Sequence, residues 1–227
     1  MYKSNKKKEF CLICYKSLTN ISFSSLFSKE NCICRNCYNS FKRIEKQIIY
    51  CGVETLFIYE YDKFFKSLLY QYKGCYDIAL NKVFLNGYEK MINKKYKGYL
   101  IIYPPSFYKD DMKREFVHIK EIAKNLKLKI VDAFIKKSNY KQSSNRYSNR
   151  DLIKNEIMLK QNAINKDSKY LIIDDVFTSG KTLKTIIELL KKTGVKKGNI
   201  KALILSKTAD FVELWHTKII YIYRANQ

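Results

Sequence analysis

Residues 171–183 read Leu-Ile-Ile-Asp-Asp-Val-Phe-Thr-Ser-Gly-Lys-Thr-Leu, and this segment narrows the fold more than any other. An apolar, β-rich run ends in two carboxylates, crosses a short hydroxyl-rich turn and enters a helix over 182–190 whose expected end is Gly194. In an open α/β sheet, ligands sit beyond the carboxyl ends of the strands, so Asp174 and Asp175 stand where carboxylates accept hydrogen bonds from sugar hydroxyls. The turn 178–182 offers backbone N–H groups, the hydroxyls of Thr178, Ser179 and Thr182 and a helix N-terminus, a combination that suits a phosphate. Gly180-Lys181-Thr182 is not a Walker A loop, because that motif needs another Gly five positions before Gly180, where Asp175 stands. Ribose and phosphate held side by side describe a ribose 5-phosphate cradle.

The rest of the chain supports an α/β reading. Strands are expected at 55–59, 99–103 (stopped by Pro104-Pro105), 129–135, 170–173, 200–205 and 219–223. Helices are expected at 36–49, with Phe41, Ile44 and Ile48 on one face, at 62–72 and 77–92 on either side of a break at Lys73-Gly74, and at 116–126. Alternating strands and helices imply an open, mostly parallel sheet flanked by helices. Between 136 and 150 the chain reads KKSNYKQSSNRYSNR, polar, free of acid and carrying five positive charges, which marks a loop.

Five of the seven cysteines fall before residue 38. Cys11-Leu-Ile-Cys14 and Cys34-Arg-Asn-Cys37 are two CxxC pairs 19 residues apart, the spacing of a four-thiolate zinc site. Each two-residue turn aims its sulfurs at one point, and two such knuckles complete a tetrahedral cage that folds a segment too short for its own core. Cys32 offers an alternative ligand, whereas Cys51 and Cys75 read as ordinary thiols. Disulfides are disfavoured, because 1–9 is Lys-rich with no apolar signal core behind it. With no apolar run of the ~18–20 residues that crosses a bilayer, a cytoplasmic protein with reduced thiols is expected. The zinc segment and following helix are assigned to 1–50 and the α/β domain to 51–227.

Against 21 Asp and Glu stand 44 Lys and Arg, a formal net charge of +23. A field of that size attracts polyanions, so nucleic acid is a candidate partner. Only six of the basic residues are Arg, and the excess of Lys, Asn, Ile and Tyr is also what an A·T-rich genome produces.

The segment at 171–183 resembles the PRPP-binding motif of type I phosphoribosyltransferases: an apolar strand, two acids, two mostly apolar residues, then T-[ST]-G-x-T. The resemblance gives Asp174 and Asp175 the ribose hydroxyls, and Thr178, Ser179, Gly180, Lys181 and Thr182 the 5′-phosphate, with Val176 among the ligand-binding positions. A four-cysteine knuckle ahead of such a domain is similar to the layout of the ComF family, competence-associated proteins linked to DNA uptake in naturally transformable bacteria. Tyr70-Gln-Tyr-Lys-Gly74 resembles that family's LKYRG-type helix end, Arg114-Glu-Phe-Val-His118 its RGFNQ segment, and 142–155, with Arg150, its Q…R…N loop. The chain departs from the pattern at Gln71, where a Lys is usual, at Glu115, where a Gly is usual, and at His118, where a Gln is usual.

The resemblance implies a type I phosphoribosyltransferase-like fold with an N-terminal zinc knuckle at Cys11, Cys14, Cys34 and Cys37. It implies PRPP or a related phosphoribosyl ligand with Mg²⁺, and single-stranded DNA and competence proteins as partners. Asp174, Asp175 and Arg150 are the catalytic candidates if phosphoribosyl is transferred to a base or ammonia, with Arg150 neutralising diphosphate. His118 is either a proton-transfer residue or a polar residue on a helix surface. Tyr140 and Tyr147, among the loop's charges, are of the type that stacks on unpaired bases.

Overall fold

The computed structural model describes residues 10–18, 32–136 and 157–208. In chain order these form Arg35–Asn39 (α1), Arg43–Tyr50 (β1), Val53–Glu60 (β2), Lys63–Gly74 (α2), Glu89–Lys95 (α3), Tyr99–Ile102 (β3), Tyr108–Arg114 (α4) and His118–Ala123 (α5). Phe134–Lys136 (β4), Ile157–Leu159 (β5), Lys169–Phe177 (β6), Lys181–Lys192 (α6) and Ile200–Lys207 (β7) follow.

The main sheet has the order β1-β2-β7-β6-β3. β1 and β2 pair antiparallel, while the β2–β7, β7–β6 and β6–β3 ladders are parallel. This is the open, mostly parallel sheet the sequence implies. β6 and β7 are buried along most of their length, as strands covered on both faces must be. One face packs Leu171, Ile173, Leu203 and Leu205 against α2 and α5, through Phe65, Leu69, Tyr72, Ile119 and Ile122. The other packs Ile172, Ala202 and Ile204 against Leu183, Ile186, Ile187 and Leu190 of α6. Asp62 caps α2 by accepting from the Phe65 N–H at 2.9 Å.

Several expectations need correction. The helix expected at 36–49 ends at Asn39, and 43–50 is the edge strand β1. Ile44, Ile48 and Tyr50 share a face at period two as well as near a helical period, and the hairpin decides between them. Cys51 and Gly52 carry φ of 49° and 77°, the paired positive values of a two-residue I′ turn. The helix expected at 77–92 is instead a 3₁₀ turn at Ile78–Lys82, followed by α3 beyond Gly87 at φ 86°. The strand expected at 129–135 divides into a bridge from Ile130 to Ile101 and β4, which pairs with β5 outside the main sheet. The break expected at Lys73-Gly74 is the last turn of α2, capped by Cys75. The strand expected at 219–223 lies outside the described residues.

Glu115 closes α4 in the left-handed region, at φ 63°. A residue with a Cβ is strained there by about 1–2 kcal/mol, which gives a physical reason for a glycine at this corner.

Candidate functional site

β6 delivers the acidic pair near its C-terminal end, and α6 begins four residues beyond Phe177. Between them Thr178 and Ser179 are exposed and Gly180 is buried, and Lys181 and Thr182, the first residues of α6, are half-buried. Gly180 is the N-cap of α6 at φ 72°. A Cβ at this position would lie 2.6 Å from Phe177 Cζ and closer still to the hydroxyl of Tyr50. Glycine therefore meets two demands at once, a left-handed backbone and no side-chain volume. The turn enters a twelve-residue helix at its N-terminus, where unpaired N–H groups and the helix dipole favour an anion. Val176 is half-buried and packs against the α2–α5 side of the core.

The two acids differ in surroundings. Asp175 is buried, at 8% exposure, and its Oδ2 lies 2.6 Å from Lys73 Nζ and 3.2 Å from His118 Nε2. Its backbone carbonyl accepts from the Ser206 hydroxyl at 2.8 Å. Burial pushes the Asp175 carboxyl up, but the His118 hydrogen bond and the Lys73 ammonium outweigh it and hold the group well below the usual carboxylate range. Asp174 accepts the Asp175 N–H at 2.9 Å, and no cation among the described residues lies within ion-pair distance of it. Burial first, then the neighbouring Asp175 charge, pushes Asp174 well above its ordinary value.

His118 is not the surface residue that one reading allowed. It is 8% exposed, and burial lowers its pKa despite the Asp175 carboxylate. In the neutral ring, Nε2–H donates to Asp175 and Nδ1 accepts from Ser106 Oγ at 3.2 Å. The Tyr72 hydroxyl donates to the His118 carbonyl at 2.7 Å, tying α2 to α5 beneath the site.

Lys73 is the site residue that sequence reasoning missed. Its signal was its position, four residues after buried Leu69 on a helix that buries Phe65, Leu68, Leu69 and Tyr72, which puts a cation on the rim of the apolar stripe. Arg150, and with it Lys137, Tyr140, Lys141, Arg146 and Tyr147, lies outside the described residues.

The sulfurs of Cys11, Cys14, Cys34 and Cys37 lie within 4.8 Å of one another, and those of Cys14 and Cys34 are 3.7 Å apart. Thiolates about 2.3 Å from a tetrahedral zinc sit roughly 3.8 Å apart, so the donor set and spacing fit a structural zinc ion. The first knuckle is a tight turn, with Cys11 N–H bonded to the Lys16 carbonyl and Tyr15 N–H to the Cys11 carbonyl, each at 2.9 Å. Burial raises the Cys11 thiol, but backbone N–H groups aimed at its sulfur prevail and bring it down to about 6. Cys32 stands outside this group, its sulfur 3.7 Å from the Lys82 carbonyl, and burial pushes it up to about 11.

A family model described as phosphoribosyl transferase domain matches residues 116–213. The competence protein ComFC of Streptococcus pneumoniae (strain ATCC BAA-255 / R6) is 26% identical over 211 residues, 82% of this chain and 95% of that protein. Among solved structures, the chain is similar to the allosteric regulatory enzyme of purine biosynthesis at 13% identity and a TM-score of 0.38, over 57% of this chain and 26% of that one. It is also similar to a hypoxanthine phosphoribosyltransferase from Staphylococcus aureus at 16% identity and a TM-score of 0.35, over 59% of this chain and 66% of that one.

Proposed function

We propose that this ComF-like protein with a phosphoribosyl transferase domain binds PRPP or a related phosphoribosyl ligand together with Mg²⁺, binds single-stranded DNA, and acts in DNA uptake during natural transformation. The observation that carries the proposal is the succession of acidic pair, left-handed Gly180 and helix N-terminus at the C-terminal end of β6. In this reading Asp174 and Asp175 take the ribose hydroxyls and residues 178–182 the 5′-phosphate. Mg²⁺ arrives with the ligand and offsets the charge of its diphosphate oxygens. Cys11, Cys14, Cys34 and Cys37 hold zinc as a structural staple within 1–50, and 51–227 forms the phosphoribosyltransferase-like part, with β1 completing its sheet.

The DNA half of the proposal is supported by the net charge of +23 and by the competence role in the relative's name. This reading places the protein in the cytoplasm; no helix among the described residues is long and apolar enough to cross a membrane. A second reading, transfer of phosphoribosyl to a base or ammonia, is favoured by the match to the transferase family, and in it Arg150 meets the leaving diphosphate. Fluorescence anisotropy of a labelled oligo(dT) tests the DNA contact directly. Zinc-loaded protein is expected to bind it with an affinity that falls steeply as salt rises, because counterions leave the strand on binding. Absence of binding in moderate salt removes DNA from the function.

A further inference from the structure

Three elements converge on one carboxylate oxygen. Lys73 reaches Asp175 Oδ2 from the last turn of α2 at 2.6 Å, and His118 reaches it from the start of α5 at 3.2 Å, while β6 itself carries the acid. Further contacts hold the holders: Ser106 bonds His118 Nδ1, Tyr72 bonds the His118 carbonyl, and Ser206 on β7 bonds the Asp175 carbonyl. Asp174, one residue earlier, has no such cationic partner among the described residues.

We infer that Lys73 is a positioning residue of the phosphoribosyl site: with His118 behind it, Lys73 pins Asp175 as an ionised acceptor in a single orientation, and Asp175 is the acid that anchors the ligand's vicinal hydroxyls. The inference rests on the phosphoribosyl reading above and adds to it a residue and a division of labour between the acids. Its physical basis is simple. An ionised carboxylate is acceptor-only and can take two hydroxyls while Lys73 and His118 hold its other oxygen, whereas a buried carboxyl without a cation takes up a proton, which turns one oxygen into a donor. The charged and titratable groups facing this acid are Tyr72 and Lys73 from α2, His118 from α5, and Asp174 beside it on β6, while Arg114 of α4 acts on Tyr72 and His118 behind them. Of the cations, only Lys73 carries a full charge at hydrogen-bond distance, since the buried His118 is neutral near pH 7. The Lys73 side chain is 31% exposed, so it occupies the rim of the site rather than its floor.

Lys73→Met keeps length and removes charge, and the Asp175 carboxyl then rises under burial. Protonation of Asp175 sets in at higher pH, so the variant loses ligand as pH falls through a range in which wild type does not. PRPP with MgCl₂ is titrated calorimetrically into full-length, zinc-loaded wild type, K73M and K73R at about pH 8 and about pH 5.5. K73M is expected to bind roughly tenfold or more weakly at the higher pH. The ratio of wild-type to K73M affinity is expected to widen at the lower pH, a comparison that cancels titration of the ligand itself. K73R is expected to recover most of the affinity. A ratio that does not change with pH, or K73M affinity within about twofold of wild type at both pH values, overturns the inference alone. Wild type that fails to bind overturns the phosphoribosyl reading and this inference with it. If circular dichroism shows K73M unfolded, K73Q read in the same way decides.

Discussion

Cys14→Ser is expected to abolish zinc binding at the four-cysteine site and to lower the melting temperature. Cys14 is exposed, so its substitution leaves no cavity, and the effect reports the metal rather than packing. The metal matters beyond its own loop because the knuckle shares a core with the sheet. Cys11, Leu18, Ile33, Cys37 and Phe41 pack in one cluster with Leu56, Phe65, Leu80 and Phe84. Structural zinc contributes about 10–16 kcal/mol of apparent binding energy in small zinc domains. Loss of even ~4 kcal/mol lowers the melting temperature of a domain this size by roughly 8–16 °C. Metal analysis is expected to find one zinc per chain in wild type and well under one in C14S, with a matching drop in thermal stability. Cys32→Ala is the control. Its sulfur faces the Lys82 carbonyl outside the four-sulfur group, so zinc content is expected to stay at the wild-type level. Zinc retained by C14S, or lost by C32A, would mean a different ligand set.

Gly180→Ala is expected to disrupt the turn 178–182 and the phosphate contact proposed for it. At φ 72° a Cβ costs about 1–2 kcal/mol, and in this place it also runs into Phe177 and the Tyr50 hydroxyl. Overpacking adds about 1–3 kcal/mol, so the total destabilisation is about 2–5 kcal/mol. The strain is relieved only by moving the turn that presents the N–H groups, so phosphoribosyl affinity is expected to fall by more than about tenfold. Gly198 has open space around the corresponding Cβ position, and Gly198→Ala is expected to be neutral in both stability and binding. Thermal melts and ligand titrations on the two variants separate a local effect at the turn from general intolerance of alanine.

The parallel sheet and the order of the acidic pair, turn and helix were legible because each is written in a contiguous run with one dominant period. The four cysteines were legible because zinc geometry imposes spacing. Two kinds of information were not local. Lys73 and His118 stand 102 and 57 residues from Asp175 in the chain, and only the packing of α2 and α5 on the same sheet face brings them together. Strand β1 was obscured for another reason. Phe41, Ile44 and Ile48 satisfy a helical period, and the decisive signal was the Cys51-Gly52 turn, whose left-handed Cys is uncommon outside such hairpins. The position of Glu115 shows the same limit, since a left-handed helix end is usually announced by glycine.

Calorimetric titration of PRPP with Mg²⁺ reads out whether the end of β6 is a working ribose-phosphate pocket. Zinc-loaded wild type is run beside the Asp174→Ala/Asp175→Ala double variant, with both shown to be folded by circular dichroism. Saturable one-to-one binding in wild type and none in the double variant is the predicted result. Absence of binding to folded wild type, or equal binding by the variant, would contradict the assignment of the acidic pair and the turn 178–182 as the ligand site.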